Sequence, residues 1–88
     1  MQHFKLTKAG ESLGVHPDDA KDLMRGRFRF VALSSELRAV LKSGESVHFG
    51  RGDYFIEVWS FSDAYSVRLY RIEERRIIAF AVLDNSDL

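Results

Sequence analysis

Basic and aromatic side chains alternate over a short stretch in the first half of the chain. Arg25, Arg27 and Arg29 are interleaved with Phe28 and Phe30. Guanidinium groups bind phosphate oxygens through paired hydrogen bonds, and phosphate contacts supply much of the affinity of nucleic-acid-binding proteins. The residue types and their spacing therefore predict a phosphate-binding patch with nucleic acid as its partner.

A second set of residues, in the second half of the chain, has the pattern of an interface. Along residues 54–61 the alternate positions 54, 56 and 58 are Tyr, Ile and Val, and we take these three as the side of a strand that faces the helices. Four aromatic residues then point away from the core: Phe55, Trp59, Phe61 and Tyr70. Exposed apolar patches of this kind mark interfaces, which predicts a homodimer or a partner protein. The alternative, that residues 6–15 or the C-terminal tail cover this face, remains open.

Other chemistry has little support in the sequence. His3, His16 and His48 are not spaced as metal ligands, and the chain has no cysteine to act as a ligand or nucleophile. Acidic pairs such as Asp18 and Asp19 are adjacent, which suits a helix start better than a catalytic pair. The sequence therefore predicts no metal and no cofactor, and it favours a binding protein over an enzyme.

Residues 13–26 have the layout of two helices joined by a tight turn. Pro17 suits the first turn of a helix, where its missing N–H is not needed. Ala20, Leu23 and Met24 follow at helical spacing, and Gly14 permits a close turn before them.

Over residues 6–26 this skeleton resembles the helix-turn-helix segment of lac-repressor, MerR, excisionase and phage-repressor regulators. In those families the second helix enters the DNA major groove. The resemblance implies that the start of this helix, which carries three aspartates, faces the bases. It also implies a base contact from His16, with Lys21 beside it. Phosphate contacts from Arg25, Arg27 and Arg29, just past that helix, complete the hypothesis of DNA binding.

Residues 54–83 resemble the final strands of RelE/ParE-type toxins. The resemblance rests on a strand that ends in Leu-Tyr-Arg, an acidic turn and an apolar last strand. RelE-like members are ribosome-dependent mRNA endonucleases that use Arg, Lys and Tyr side chains. Arg68, Tyr70 and Arg71 are the nearest equivalents that this resemblance implies.

The elements that must position these residues divide the chain into two parts. Helical periodicity predicts helices at 6–13, 17–25 and 35–43, with Gly26 ending the second, although 2–5 also fits a short strand. Residues 27–33 fit either a strand or a helix. Apolar runs separated by short turns predict strands at 46–49, 54–61, 65–72 and 76–83. The expected fold is α+β, with two or three short N-terminal helices packed on a three- to four-stranded antiparallel meander.

The 88 residues form one expected domain, helical over 1–44 and a sheet over 45–88. The first part has eight Lys/Arg and five Asp/Glu, and the second has five and eight, so their net charges are +3 and −3. A hydrophobic content of 45% supports a folded core. With no signal-peptide or membrane-spanning pattern, the expected location is the cytoplasm, away from membranes.

Three functions are therefore expected from the sequence. The first is a small non-enzymatic regulatory protein that binds DNA through the helix-turn-helix-like segment. The second is a protein-interaction module, such as an inhibitor, antitoxin or phage-type regulator, that docks through the aromatic sheet face. The third is a RelE/ParE-like toxin.

Overall fold

The computed structural model describes residue 1 and residues 3–88. Its elements follow in chain order: β1 (His3–Leu6), α1 (Lys8–Ser12), α2 (Pro17–Ala32), α3 (Ser35–Lys42), β2 (Val47–Arg51), β3 (Tyr54–Phe61), β4 (Ala64–Arg71), β5 (Arg76–Leu83) and a final 3-10 turn at Asn85–Asp87. All five strands form one antiparallel sheet in the order β1-β5-β4-β3-β2. The predicted α+β class is confirmed, with one strand more than expected.

The additional strand is β1, which pairs with β5 at one edge of the sheet. Phe4 lies opposite Ala81 and Leu6 opposite Ala79, and both β1 side chains pack against the core. The predicted first helix therefore begins too early, and the first residues of the half described as helical (1–44) form a strand, because alternating apolar residues at 4 and 6 suit a strand. The alternative strand at 2–5 is close to the observed one, although its residue 2 lies outside the described part of the chain.

Helix α1 is shorter than the predicted 6–13 and packs closely on the sheet. Thr7 caps it, since the Thr7 Oγ1 accepts a hydrogen bond of 3.1 Å from the Gly10 N–H. Gly10 is buried, and a Cβ at this position would lie 2.5 Å from the carbonyl oxygen of Ile78. The absence of a side chain at Gly10 is what allows α1 to approach β5.

Helix α2 continues through Gly26, where the sequence indicated an end, and stops after Ala32. Met24, Phe28 and Val31 share one face of this helix and are fully buried. Burying these side chains outweighs the preference of about 1 kcal/mol against glycine inside a helix. The predicted end at residue 25 is therefore wrong, and of the ambiguous residues 27–33 all but the last are helical.

The remaining elements lie close to their predicted bounds. Helix α3 covers all but the last residue of 35–43, with Ser34 as its N-cap. Strands β3 and β5 match the sequence prediction, whereas β2 and β4 begin and end one or two residues away from it. Gly52 adopts a φ of 57°, a left-handed conformation that suits glycine in the tight turn between β2 and β3. No helix in the described residues has the length and apolar character needed to cross a membrane.

The core lies between the helices and one face of the sheet, here called the inner face. Ile56, Val58 and Leu69 are among its fully or almost fully buried side chains. Strand β5 contains an irregularity, because Leu69 pairs with Ala79 while the next residue, Tyr70, pairs with Ile77. The extra residue, Ile78, is buried as well, and its carbonyl accepts a hydrogen bond of 2.9 Å from the Thr7 N–H.

Candidate functional site

The opposite face of the sheet, here called the outer face, carries the aromatic residues that the sequence indicated. Successive side chains on a strand point to opposite faces, and the burial of Ile56 and Val58 fixes the inner side of β3. Trp59 and Phe61 are therefore on the outer face, with 37% and 64% of their surface exposed. The predicted orientation of this strand is confirmed.

Neither of the two segments that were candidates for covering the outer face does so. Helix α1 contacts Leu6 and Ile78, which belong to the core beneath the inner face. The C-terminal 3-10 turn contacts α2, and Asp87 in that turn pairs with the N-terminal ammonium of Met1. Within the described residues, the outer face is therefore open to solvent.

One row of side chains crosses the outer face from edge to edge. The pairing register aligns one residue from each strand, in the order Lys5, Phe80, Arg68, Glu57 and His48. This set is called the central row below. It contains two permanent cations and one carboxylate, so its formal charge is positive when the histidine is neutral.

Hydrogen bonds connect one end of the central row to neighbouring residues. The His48 Nε2 lies 2.8 Å from the Ser46 Oγ and 3.3 Å from the Glu57 Oε2. The Tyr70 hydroxyl donates to the Glu57 Oε1 at 3.3 Å. Serine and glutamate contact the same imidazole nitrogen, whereas a nucleophile–base–acid relay needs them on opposite nitrogens. The cluster therefore fixes the Glu57 carboxylate in place and does not have the geometry of a hydrolase triad.

Arg68 is the cation at the centre of the row. A side-chain hydrogen bond with Tyr70 raises the pKa of Arg68, and the nearby Glu57 carboxylate acts in the same direction. The guanidinium therefore stays charged, while both Glu57 carboxylate oxygens already have other partners. Arg68 is exposed to solvent, so its remaining N–H groups are accessible to an anion on the outer face.

Aromatic rings lie on both sides of the central row. On one side, Phe55 and Tyr70 have ring centroids 5.7 Å apart, and the His48 imidazole stacks on Phe55 at 5.1 Å. On the other side lies Trp59, and Phe80 within the row is 42% exposed. The four predicted interface residues are thus all on one face, around the central row.

The structure does not bring together the five residues predicted to contact DNA. His16 is the N-cap of α2, with its Nδ1 accepting a hydrogen bond of 3.2 Å from the Asp18 N–H. The Lys21 ammonium lies 5.1 Å from the centre of the Phe4 ring, whereas the Arg27 guanidinium lies 5.1 Å from that of Phe49. Phe4 is on β1 and Phe49 on β2, so the two cations flank opposite sides of α2.

A smaller group of these basic residues does share one side of the helix. Lys21, Arg25 and Arg29 are spaced four residues apart, which aligns them along α2. Arg25 is half-buried and interacts electrostatically with Asp87, whereas Arg29 is exposed. The exposed start of the same helix carries three acidic residues: Asp18, Asp19 and Asp22.

The residues that the RelE/ParE resemblance indicates are partly together. Arg68 and Tyr70 interact on the outer face. Arg71 lines a pocket together with Tyr70, but its Nε lies 3.0 Å from the Glu74 Oε2 in the turn after β4.

Sequence reasoning missed three members of the central row, which are Lys5, Phe80 and His48. The alternation along β3 had placed Glu57 outward, but the row requires the strand order, which brings residues more than 70 positions apart into register. Residues 77–83 are all apolar, so the sequence alone does not show which of them point outward, Phe80 included.

Comparison with protein-family models, with curated proteins and with solved structures gives no match. Within the described part of the chain, no group of three or more His, Asp or Glu side chains is arranged to hold a metal ion. The candidate site therefore rests on the outer face and its chemistry alone.

Proposed function

We propose that this chain is a small non-enzymatic binding protein, located in the cytoplasm, that binds single-stranded nucleic acid on the outer face of its sheet. The observation that supports the proposal is the central row, with Arg68 in the middle of an open sheet and exposed aromatic rings around it. Aromatic rings stack on unpaired bases, and a guanidinium binds the phosphates between them.

The arrangement favours a single strand over duplex DNA. Bases stack on protein rings only when they are not paired and stacked within a double helix. Binding in a major groove would instead use α2, but the exposed start of α2 carries Asp18, Asp19 and Asp22. Three carboxylates there would repel the phosphate backbone.

A protein partner on the same face is the competing proposal, and a second copy of this chain is its simplest form. Two-fold symmetric pairing with its axis over Arg68 would place Arg68 of one copy against Arg68 of the other. Such a contact buries like charges, which is unfavourable. An anionic partner matches the charge of the central row better than a second copy does.

The proposal is tested by fluorescence anisotropy with labelled single-stranded RNA, single-stranded DNA and duplex DNA of the same length. We expect both single strands to bind more tightly than the duplex. Removal of one stacking residue costs about 1–3 kcal/mol, so Trp59→Ala should weaken binding by roughly 5- to 150-fold. If Lys5 and Arg68 each neutralise one phosphate, the slope of log affinity against log salt is about −1.4.

Arg29→Ala is the matched control, since this exposed arginine on α2 belongs to the helix-turn-helix prediction and not to the outer face. Loss of binding in Arg29→Ala with no effect of Arg68→Ala would support the helix-turn-helix route and contradict the proposal. A dimer that Trp59→Ala dissociates, with no binding to any oligonucleotide, would support the protein interface instead.

A second candidate function is a RelE/ParE-like toxin, and the interaction between Arg68 and Tyr70 favours it. Expression of the chain alone should then arrest growth, and Arg68→Ala should relieve the arrest. Normal growth on expression of the wild-type chain would contradict an active toxin and leave nucleic-acid binding unaffected.

A further inference from the structure

An apolar pocket lies at the end of the outer face where β4 turns towards β5. Its volume is about 360 Å³, and its lining consists of Phe55, Tyr70, Arg71, Ile72 and Arg75. Ile72 is 51% exposed, although a large aliphatic side chain is normally buried. The pocket therefore combines two aromatic walls, an aliphatic wall and two arginines at one rim.

Arg75 has an unfavourable backbone conformation for an arginine. Its φ is 54°, in the left-handed region that glycine adopts without cost. In the described part of the chain, Ser62 is the only other residue besides glycines with a positive φ. A glycine at this position would relieve the strain. The presence of an arginine there therefore raises the question of what its side chain does.

The two arginines of the pocket differ in their availability. The Arg71 Nε lies 3.0 Å from the Glu74 Oε2, so this guanidinium has an anionic neighbour, although the contact does not have the geometry of a hydrogen bond. Among the described residues, no carboxylate lies within ion-pair distance of Arg75, and its side chain is exposed. The pocket thus offers an apolar slot with one uncompensated cation beside it.

We infer that this pocket binds one nucleotide, with the base packed against Phe55, Tyr70 and Ile72 and the phosphate on Arg75. A flat ring with an adjacent anion matches both the apolar walls and the charge at the rim. The volume is at the lower end of the range of small-ligand sites, about 300–1,000 Å³, which suits one nucleotide and not several. The inference extends the proposed function, because the pocket then holds the terminal, phosphorylated nucleotide of the bound strand.

The test compares oligonucleotides that carry a terminal phosphate, at the 5′ or the 3′ end, with the same strands lacking it. A nucleoside monophosphate and its nucleoside form the second pair of probes, measured by calorimetry. The phosphate at one end should strengthen binding by about tenfold, as expected for one charge-assisted hydrogen-bonded contact.

Arg75→Gly separates binding from stability. The variant should lose the phosphate effect, while its Tm should rise by about 4 °C because the left-handed strain is relieved. Ser62→Gly is the matched control, since it relieves the same strain at the opposite end of the sheet. It should also raise Tm but leave binding unchanged.

The outcomes distinguish this inference from the proposed function. Strands that bind equally well with and without the phosphate, and an Arg75→Gly variant that binds as the wild type does, would overturn the pocket and leave strand binding intact. A nucleoside monophosphate that binds through Arg75, with no binding of any strand, would support the pocket and contradict the proposed function. No binding of either probe would overturn both.

Discussion

Gly10→Ala is expected to destabilise the protein strongly, because the new methyl group has no room. It would lie 2.5 Å from the Ile78 carbonyl oxygen and 2.8 Å from the Leu6 Cδ1. The carbonyl cannot move freely, since it accepts a hydrogen bond from the Thr7 N–H at 2.9 Å and shares the Thr7 hydroxyl, 3.0 Å away, with the Ile77 carbonyl. Overpacking costs about 1–3 kcal/mol, and each hydrogen bond lost by a compensating shift adds about 1 kcal/mol.

Gly26→Ala is the matched control, and it is expected to raise the free energy of unfolding instead of lowering it. Gly26 also lies within a helix, but nothing is within 4 Å of a Cβ at this position. Alanine there should stabilise the protein by up to about 1 kcal/mol. For a chain of this size 1 kcal/mol shifts Tm by roughly 4–8 °C, so thermal unfolding followed by circular dichroism resolves both changes. A Gly10→Ala variant as stable as wild type would refute the close packing of α1 on β5, and with it the assignment of α1 to the inner side.

Two further variants test the packing of the core and the ion pair between the N-terminal ammonium and Asp87. Phe28→Ala should lower the free energy of unfolding by about 3–5 kcal/mol, because this ring is fully buried beneath Tyr65; a loss under 1 kcal/mol in urea unfolding would contradict its central position. Burial raises the pKa of Asp87, but hydrogen bonds from the Met1 ammonium and the Asp84 N–H outweigh it and hold the pKa below its ordinary value. The stabilisation is then complete above the unfolded pKa of about 3.9 and is lost as pH falls through the folded pKa. Asp87→Asn should therefore be less stable than wild type at pH 7, with the difference closing below about pH 4; a difference independent of pH would contradict the pairing.

The sequence was most informative where local periodicity and burial agree. The bounds of β3 and β5 follow from runs of apolar residues between turn-like clusters, and the outward direction of Trp59 follows from placing Ile56 and Val58 towards the helices. The end of α2 was mispredicted because Gly26 is a local signal, whereas the burial of Phe28 and Val31 depends on the sheet beneath them.

The candidate site was only partly predictable, for a topological reason. Short turns determine the order of β2 to β5, but no local signal places β1 next to β5. Lys5 and Phe80 therefore become neighbours of Arg68 only in the folded chain. The same limit applies to the pocket, since the strained Arg75 is recognisable from its φ and not from its residue type.

The intrinsic fluorescence of Trp59 tests the central claim most directly. The chain contains one tryptophan, and it lies on the outer face, so its emission reports on that face alone. Titration with an unlabelled single-stranded oligonucleotide should quench this emission in a saturable manner that weakens at higher salt. Binding that leaves the Trp59 emission unchanged, or no binding at about 100 μM protein and low salt, would contradict the assignment of the outer face to nucleic acid.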